Sequence, residues 1–298
     1  MGILPKHVSR LRSWLLTPGT SYVPWILLGP NFILIVLFML GPLLLLGRIS
    51  FEGYQAGHGI IETWQAANYS KFLFDPFYRQ VLLGTLVLGA EVTALCLLLG
   101  FPLAYALSRA RGLKRAVLYF CILMPLLTST VVRTFGWMIL LANNGFINRI
   151  LVSLHLTHRP LRLMYNVTGV IIALGEVLLP FMVLALDAAL LNINPSLYEA
   201  ARNLGARGPR IFFRITLPLS LPGIVSGCVL VFTGALSAFV TPTLIAGARM
   251  KVMSTIIYQQ AMALLDWPFG AAIAFVMLTT ILILLVSSLQ VTDRWRSA

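Results

Sequence analysis

A chain of 298 residues that is 59% hydrophobic and only 10% charged is not an ordinary soluble domain, in which about a quarter of the residues carry charge. Its net charge of +13 invites a nucleic-acid reading, but the basic residues are scattered among segments between apolar runs, without interleaved aromatic platforms. Contact with anionic lipid headgroups explains them better. The composition therefore describes a multi-spanning membrane protein.

Residues 1–24 form a basic tail with Lys6, Arg10 and Arg12. The apolar run over 25–47 is too long for the core of a cleavable signal and lacks a small-x-small site after it, so a retained first helix is expected. A more polar segment, 48–79, leads to a core domain over 80–298 with five further apolar runs near 81–107, 116–142, 167–190, 221–246 and 269–290. Each satisfies the requirement of about 20 residues per crossing. The expected fold is all-α, with six transmembrane helices. Gly41-Pro42, Gly100-Phe101-Pro102, Pro125 and Pro180 fall inside the runs, where neighbouring helices can satisfy the freed backbone groups, so kinked and closely packed spans are expected.

The one long polar interruption late in the chain covers 192–220. Asn194 suits an N-cap and Pro195 the first helical position, and Glu199 is expected to favour the positive end of the helix they start. Leu197, Ala200, Ala201 and Leu204 recur at i, i+3, i+4 and i+7 as one apolar stripe. Gly205 fits the C′ position that ends the helix. Gly208-Pro209 can open a second short helix with Ile211, Phe212 and Ile215 on its apolar face, while Arg207, Arg210 and Arg214 stay wet. A bland reading is an amphipathic connection resting on headgroups.

Thirteen of the 22 lysines and arginines fall in segments that lie on one side if both termini do, and eight on the other. The positive-inside rule then places the 192–220 loop and both termini in the cytoplasm. Three ionisable residues stand well inside spans: Glu91, Arg133 and Glu176. At such depth each is expected to face protein or a watery cavity. Arg133 and Glu176 lie at similar depth and can pair; Glu91 has no evident partner; Asp187, near a helix end, reads as unremarkable. Cys96, Cys121 and Cys228 fall in spans and read as small apolar groups. His155 and His158 have no acidic or cysteine ligand nearby, so no metal site is expected. The sequence contains no G-x-x-x-x-G-K-[ST] phosphate loop and no nucleophile elbow, so no enzyme active site and no bound cofactor are expected.

The spacing Glu199-Ala200-Ala201, Gly205, Ile215-x-Leu217-Pro218 resembles the loop by which permeases of binding-protein-dependent ABC importers engage their ATPase. Asn68-Tyr69-Ser70-Lys71-Phe72-Leu73 with Asp75-Pro76, Arg133-Thr134-Phe135-Gly136-Trp137, Asn144-Gly145-Phe146-Ile147-Asn148 and Asp266-Trp267-Pro268-Phe269-Gly270 are similar to the first permease subunit of spermidine/putrescine importers. The resemblance implies a type I importer permease in a bacterial inner membrane, with coupling residues Glu199, Ala200, Ala201, Gly205, Ile215, Leu217 and Pro218. It also implies a second permease, a dimer of ATPase subunits that holds ATP and Mg, and a periplasmic solute-binding protein. A polycationic solute suits carboxylates and aromatic faces, so Glu91, Glu176, Asp266, Trp137, Tyr165 and Trp267 are candidates for the pathway or its outer side, with Arg133 neutralised by Glu176. If Arg133 instead faces the pathway, an anionic solute is the alternative. An ion-driven secondary transporter is a further alternative, although no internal duplication is evident.

Overall fold

The computed structural model describes residues 23–297. The tail expected over 1–24 lies outside the described residues, except for Val23 and Pro24, which already belong to the first helix, α1 (Val23–Ile49). A small antiparallel hairpin follows, β1 (Gly53–Gln55) with β2 (Gly59–Ile61), pairing Tyr54 with Ile60. The rest is helical: α2 (Ala67–Phe74), α3 (Pro76–Arg109), α4 (Gly112–Leu123), α5 (Thr130–Leu141), α6 (Phe146–Ser153) and α7 (Val167–Leu191). Then come α8 (Pro195–Asn203), α9 (Gly208–Ile211), α10 (Leu217–Leu219), α11 (Leu221–Ser237), α12 (Val240–Ala246), α13 (Met253–Tyr258) and α14 (Trp267–Ser297). Among the described residues five helices are long and apolar enough to cross a membrane, and a sixth crossing results if the bent pair Gly208–Leu219 and Leu221–Ser237 counts as one.

The core is the packed trio α3, α7 and α11, from which Val92, Cys96, Leu107, Met182, Val183, Leu186 and Val231 are buried. Between apolar helices in lipid there is little hydrophobic driving force, so close backbone approach matters more. Gly223 and Gly227 provide it, one turn apart on α11. A Cβ at Gly223 would lie 2.9 Å from the Ala185 carbonyl, and one at Gly227 would lie 2.6 Å from Met182 Sδ. A second cluster at the start of α14 joins Phe72, Tyr78, Met253, Phe269 and Ile273, with Tyr78 and Phe269 packed edge to face at 5.0 Å. The helix α1 stands apart. No side chain from Leu28 to Ile49 is buried, and its main helical neighbour is α14, where Phe275 approaches Gly47.

Two expected spans are not single helices. The run 116–142 is split between α4 and α5 by a 3-10 turn over Met124–Leu127, because Pro125 has no N–H to continue the ladder. The Thr128 N–H and hydroxyl take the Pro125 carbonyl, at 3.2 and 2.8 Å. The helical stretch there that meets the length and hydropathy of a crossing is Thr130–Ser153. The run 221–246 ends its first helix at Ser237, because Pro242 has no N–H for the Ala238 carbonyl four residues back and its ring would clash with that carbonyl. The freed Ala238 carbonyl accepts from the Ser254 hydroxyl at 2.6 Å, and Ser237 donates back to the Thr233 carbonyl at 3.0 Å, a contact that bends helices. A different bend, of 60°, separates Gly208–Leu219 from Leu221–Ser237 at the buried Ser220.

Candidate functional site

The helix α8 begins and ends through local chemistry. The Asn194 carboxamide oxygen accepts from the Ser196 N–H at 3.0 Å, and Pro195 occupies the first turn, where a missing N–H is harmless. Gly205 has φ +76°. The Gly205 N–H bonds the Arg202 carbonyl and the Ala206 N–H bonds the Ala201 carbonyl, both at 2.9 Å, which together make a Schellman termination. The dipole argument for Glu199 is corrected, because no acid lies in the first turn, where the helix-end field is concentrated.

No residue of α8 is buried. Of the apolar stripe, Leu204 is 88% and Leu197 43% exposed, and Glu199, Ala200 and Gly205 are exposed as well. Such a stripe on a short capped helix is a surface without an occupant in this chain. Tyr198 turns the other way. It packs on the core, and its hydroxyl accepts from the Thr216 hydroxyl at 3.4 Å. Between α8 and the ends of α3 and α7 lies a cleft of about 390 Å³ lined in part by Tyr105, Arg109, Tyr198, Glu199 and Arg202. Beyond α9, a π turn over Phe212–Thr216 drives the Phe212 ring edge-on against Phe101 and Tyr105, at 5.5 and 5.9 Å. Ile215 and Leu217 are half-buried and Pro218 exposed, so the I-x-L-P segment seats the loop on the membrane domain while E-A-A points away from it.

The intramembrane charges form two clusters, both between α7 and the broken third span. Toward the end of α7 remote from α8, Arg133 Nη1 lies 3.6 Å from Glu176 Oε1, and Trp137 Nε1 donates to Glu176 Oε2 at 3.3 Å. The expected pair is therefore formed. Arg133 is 13% and Glu176 29% exposed, and Arg133 Nε and Nη1 are buried without a hydrogen-bond partner.

Near the α8 end, Asp187 is 1% exposed. Its Oδ2 accepts from Arg115 Nη2 at 3.2 Å and from the Tyr119 hydroxyl, and its Oδ1 is buried without a partner. Asp187 is the functional candidate that sequence reasoning passed over. Arg115 and Tyr119, at i and i+4 on one helix face, were the available signal.

The remaining pathway candidates do not join either cluster. Glu91 is exposed on α3, within an exposed stripe that includes Leu83, Val87 and Leu98. Asp266 caps α14, accepting from the Phe269 N–H at 3.1 Å, and Trp267 beside it is 41% exposed. Among the described residues no group of three or more His, Cys, Asp or Glu could hold a metal ion.

A helical membrane domain that presents a finished, uncovered helix on a polar loop has the form of a permease built to work with partners. Residues 97–292 match the family described as binding-protein-dependent transport system inner membrane component, and the chain belongs to that family. It is 35% identical over 264 residues to the spermidine/putrescine transport system permease protein PotB of Escherichia coli strain K12, covering 89% of this chain and 94% of that one. It is 34% identical to the PotB of Haemophilus influenzae over 252 residues, 85% and 87% of the two chains. The fold is that of a bacterial alginate ABC transporter crystallised with its alginate pentasaccharide-bound periplasmic protein, with a TM-score of 0.72 at 21% identity over 96% of each chain.

Proposed function

We propose that this chain is one permease subunit of an ATP-driven polyamine importer in a bacterial inner membrane, with both termini and the α8 loop in the cytoplasm. The observation that carries the reading is the bare apolar edge of α8, fixed by its own caps and offered outward. It fits a groove on an ATPase subunit, which would hold the ATP and Mg that this chain has no phosphate loop to bind. A second permease would complete the pathway, and a soluble solute-binding protein would deliver the cargo. The likeness to PotB proteins supports a spermidine- or putrescine-like solute.

The charges suit such a cargo once they are paired. Glu176 neutralises Arg133 and remains partly exposed beside the Trp137 ring, a combination that attracts a desolvated cation. Glu91 interrupts an apolar stripe, and a carboxylate facing lipid at the centre of a span costs about 2.5–3.5 kcal/mol. A second permease packed on that stripe would remove the carboxylate from lipid and set it at the pathway. One observation favours the anionic alternative, namely the buried Arg133 Nε, which has no hydrogen-bond partner.

The test is reconstitution of the chain with its second permease, ATPase and binding protein in vesicles, with spermidine uptake as the readout. Uptake of an anionic solute and none of spermidine would overturn the polyamine reading. Gly205→Val tests coupling in the same vesicles. No atom crowds the position, so the penalty is that of a left-handed backbone, about 1–2 kcal/mol and more for a branched side chain. The ATPase is expected to dissociate while the spans stay inserted, and normal uptake by this variant would sink the α8 assignment.

A further inference from the structure

The end of the molecule remote from α8 carries a groove of about 1030 Å³, lined in part by Phe135, Met138 and Tyr165 and by three arginines, Arg149, Arg162 and Arg249. Met164 and Tyr165 immediately precede α7, and α8 follows its other end, so the groove and α8 are separated by the length of α7, about 37 Å. No acidic side chain lines the groove, and none of the three guanidinium groups belongs to an ion pair among the described residues. Tyr165 is fixed there in a left-handed conformation, φ +58°, that an aromatic residue rarely adopts. Its N–H is bonded to the Ile245 carbonyl at 3.0 Å, and Arg249 lies over its ring at 5.8 Å.

We propose that this groove is the seat of an acidic segment of the soluble solute-binding protein, and that it is closed to the polyamine itself. The inference rests on the reading of the chain as a binding-protein-dependent polyamine permease. Its argument is one of sign. A cleft lined by three like charges concentrates anions and repels cations, so a polyamine is excluded from the surface that best accommodates carboxylates. Guanidinium groups grip carboxylates through two parallel hydrogen bonds. The apolar part of the lining is aromatic and methionine-rich, which together with arginine is the composition enriched in protein interfaces; this favours a protein partner over a lipid headgroup. Docking and passage then use different surfaces, and the like-charge groove acts against loose cargo entering without its carrier.

The experiment uses the complex of this chain with its second permease and ATPase in nanodiscs and measures its affinity for the purified, spermidine-loaded binding protein at low and moderate salt. Arg162→Glu with Arg249→Glu is expected to weaken binding about tenfold or more and to flatten its salt dependence, while Arg162→Lys with Arg249→Lys keeps the salt dependence and loses less affinity than the glutamate pair. A benzophenone carried on Asn143→Cys, in a Cys121→Ala and Cys228→Ala background, is expected to join the binding protein; this decides the matter even if the glutamate variants do not assemble. Unaltered affinity in assembled glutamate variants overturns the proposal. So does a cross-link to the second permease, or an affinity loss seen only in nanodiscs of anionic lipid and absent from neutral ones. If the variants bind normally while spermidine is still transported, this inference alone fails; a wild-type complex that neither binds the loaded protein nor takes up spermidine sinks the importer reading with it.

Discussion

Glu176 and Asp187 are 11 residues apart on α7, about three turns, so both acids lie on one face of the helix. Each takes an arginine and an aromatic donor from the broken third span, Arg133 and Trp137 for one, Arg115 and Tyr119 for the other. The same arrangement is used twice, with opposite accessibility. Glu176 is 29% exposed, at a pair separation of 3.6 Å, whereas Asp187 is 1% exposed with its pair at 3.2 Å. A partly open pair can exchange a partner with a passing ion; a buried one holds two helices together. The cluster near α8 is thus suited to fasten α4 to the end of α7 that continues into α8; the outer cluster, in the orientation proposed above, is the one left open to exchange.

The sharpest way to break this comparison is to remove one charge from each pair. Arg115→Met leaves the Asp187 carboxylate, 1% exposed, without its counter-charge, so a loss of about 3–5 kcal/mol is expected, read as a lower melting temperature and yield of the complex in detergent. Arg115→Met with Asp187→Leu should recover most of it, and failure of that rescue would remove the fastening role. At the outer cluster, Arg133→Met should cost less, between the roughly 1 kcal/mol of an exposed pair and the buried value. The double change Arg133→Met with Glu176→Gln should restore assembly while spermidine uptake stays low. If Arg133→Met alone leaves assembly intact and abolishes uptake, the anionic reading replaces the polyamine one.

The smallest contrast is between the aromatic donors. Tyr119→Phe removes a hydrogen bond to a buried carboxylate, about 1.5–3 kcal/mol, and Trp137→Phe a longer one, about 1 kcal/mol or less. Thermal unfolding of the two variants in parallel checks the order. Equal shifts would mean that burial does not separate the clusters.

The E-A-A helix was legible because every determinant is local: the Asn194 cap, Pro195 and the left-handed Gly205 act within a few residues of one another. The Arg133–Glu176 pair was legible by depth, since both residues stand at similar distances from the ends of their spans. Asp187 was not, for two physical reasons. Its nearness to a helix end suggests water, but α4 folds back over it; and its partners, 72 and 68 residues away in sequence, meet it only because the third span is interrupted. Both breaks have a proline signal, Pro125 for one and Pro242, four residues after Ala238, for the other; the Ser254 hydroxyl that takes the freed Ala238 carbonyl is a tertiary contact that periodicity cannot report. The groove arginines belong to three separate segments, so their convergence is equally invisible in one dimension.

The 60° bend at Ser220 has a mechanical meaning. The serine is fully buried and its hydroxyl is tied to the Leu217 carbonyl at 2.9 Å, while Phe212 is wedged against Phe101 and Tyr105. The corner is therefore braced from both sides, like the elbow of a bell crank. Under the coupling role proposed for α8, a push on that helix would reach α11 as leverage, part of it sliding the helix along its axis and part tipping it sideways against α7. The direction of a force can thus be turned without any long rigid rod crossing the loop.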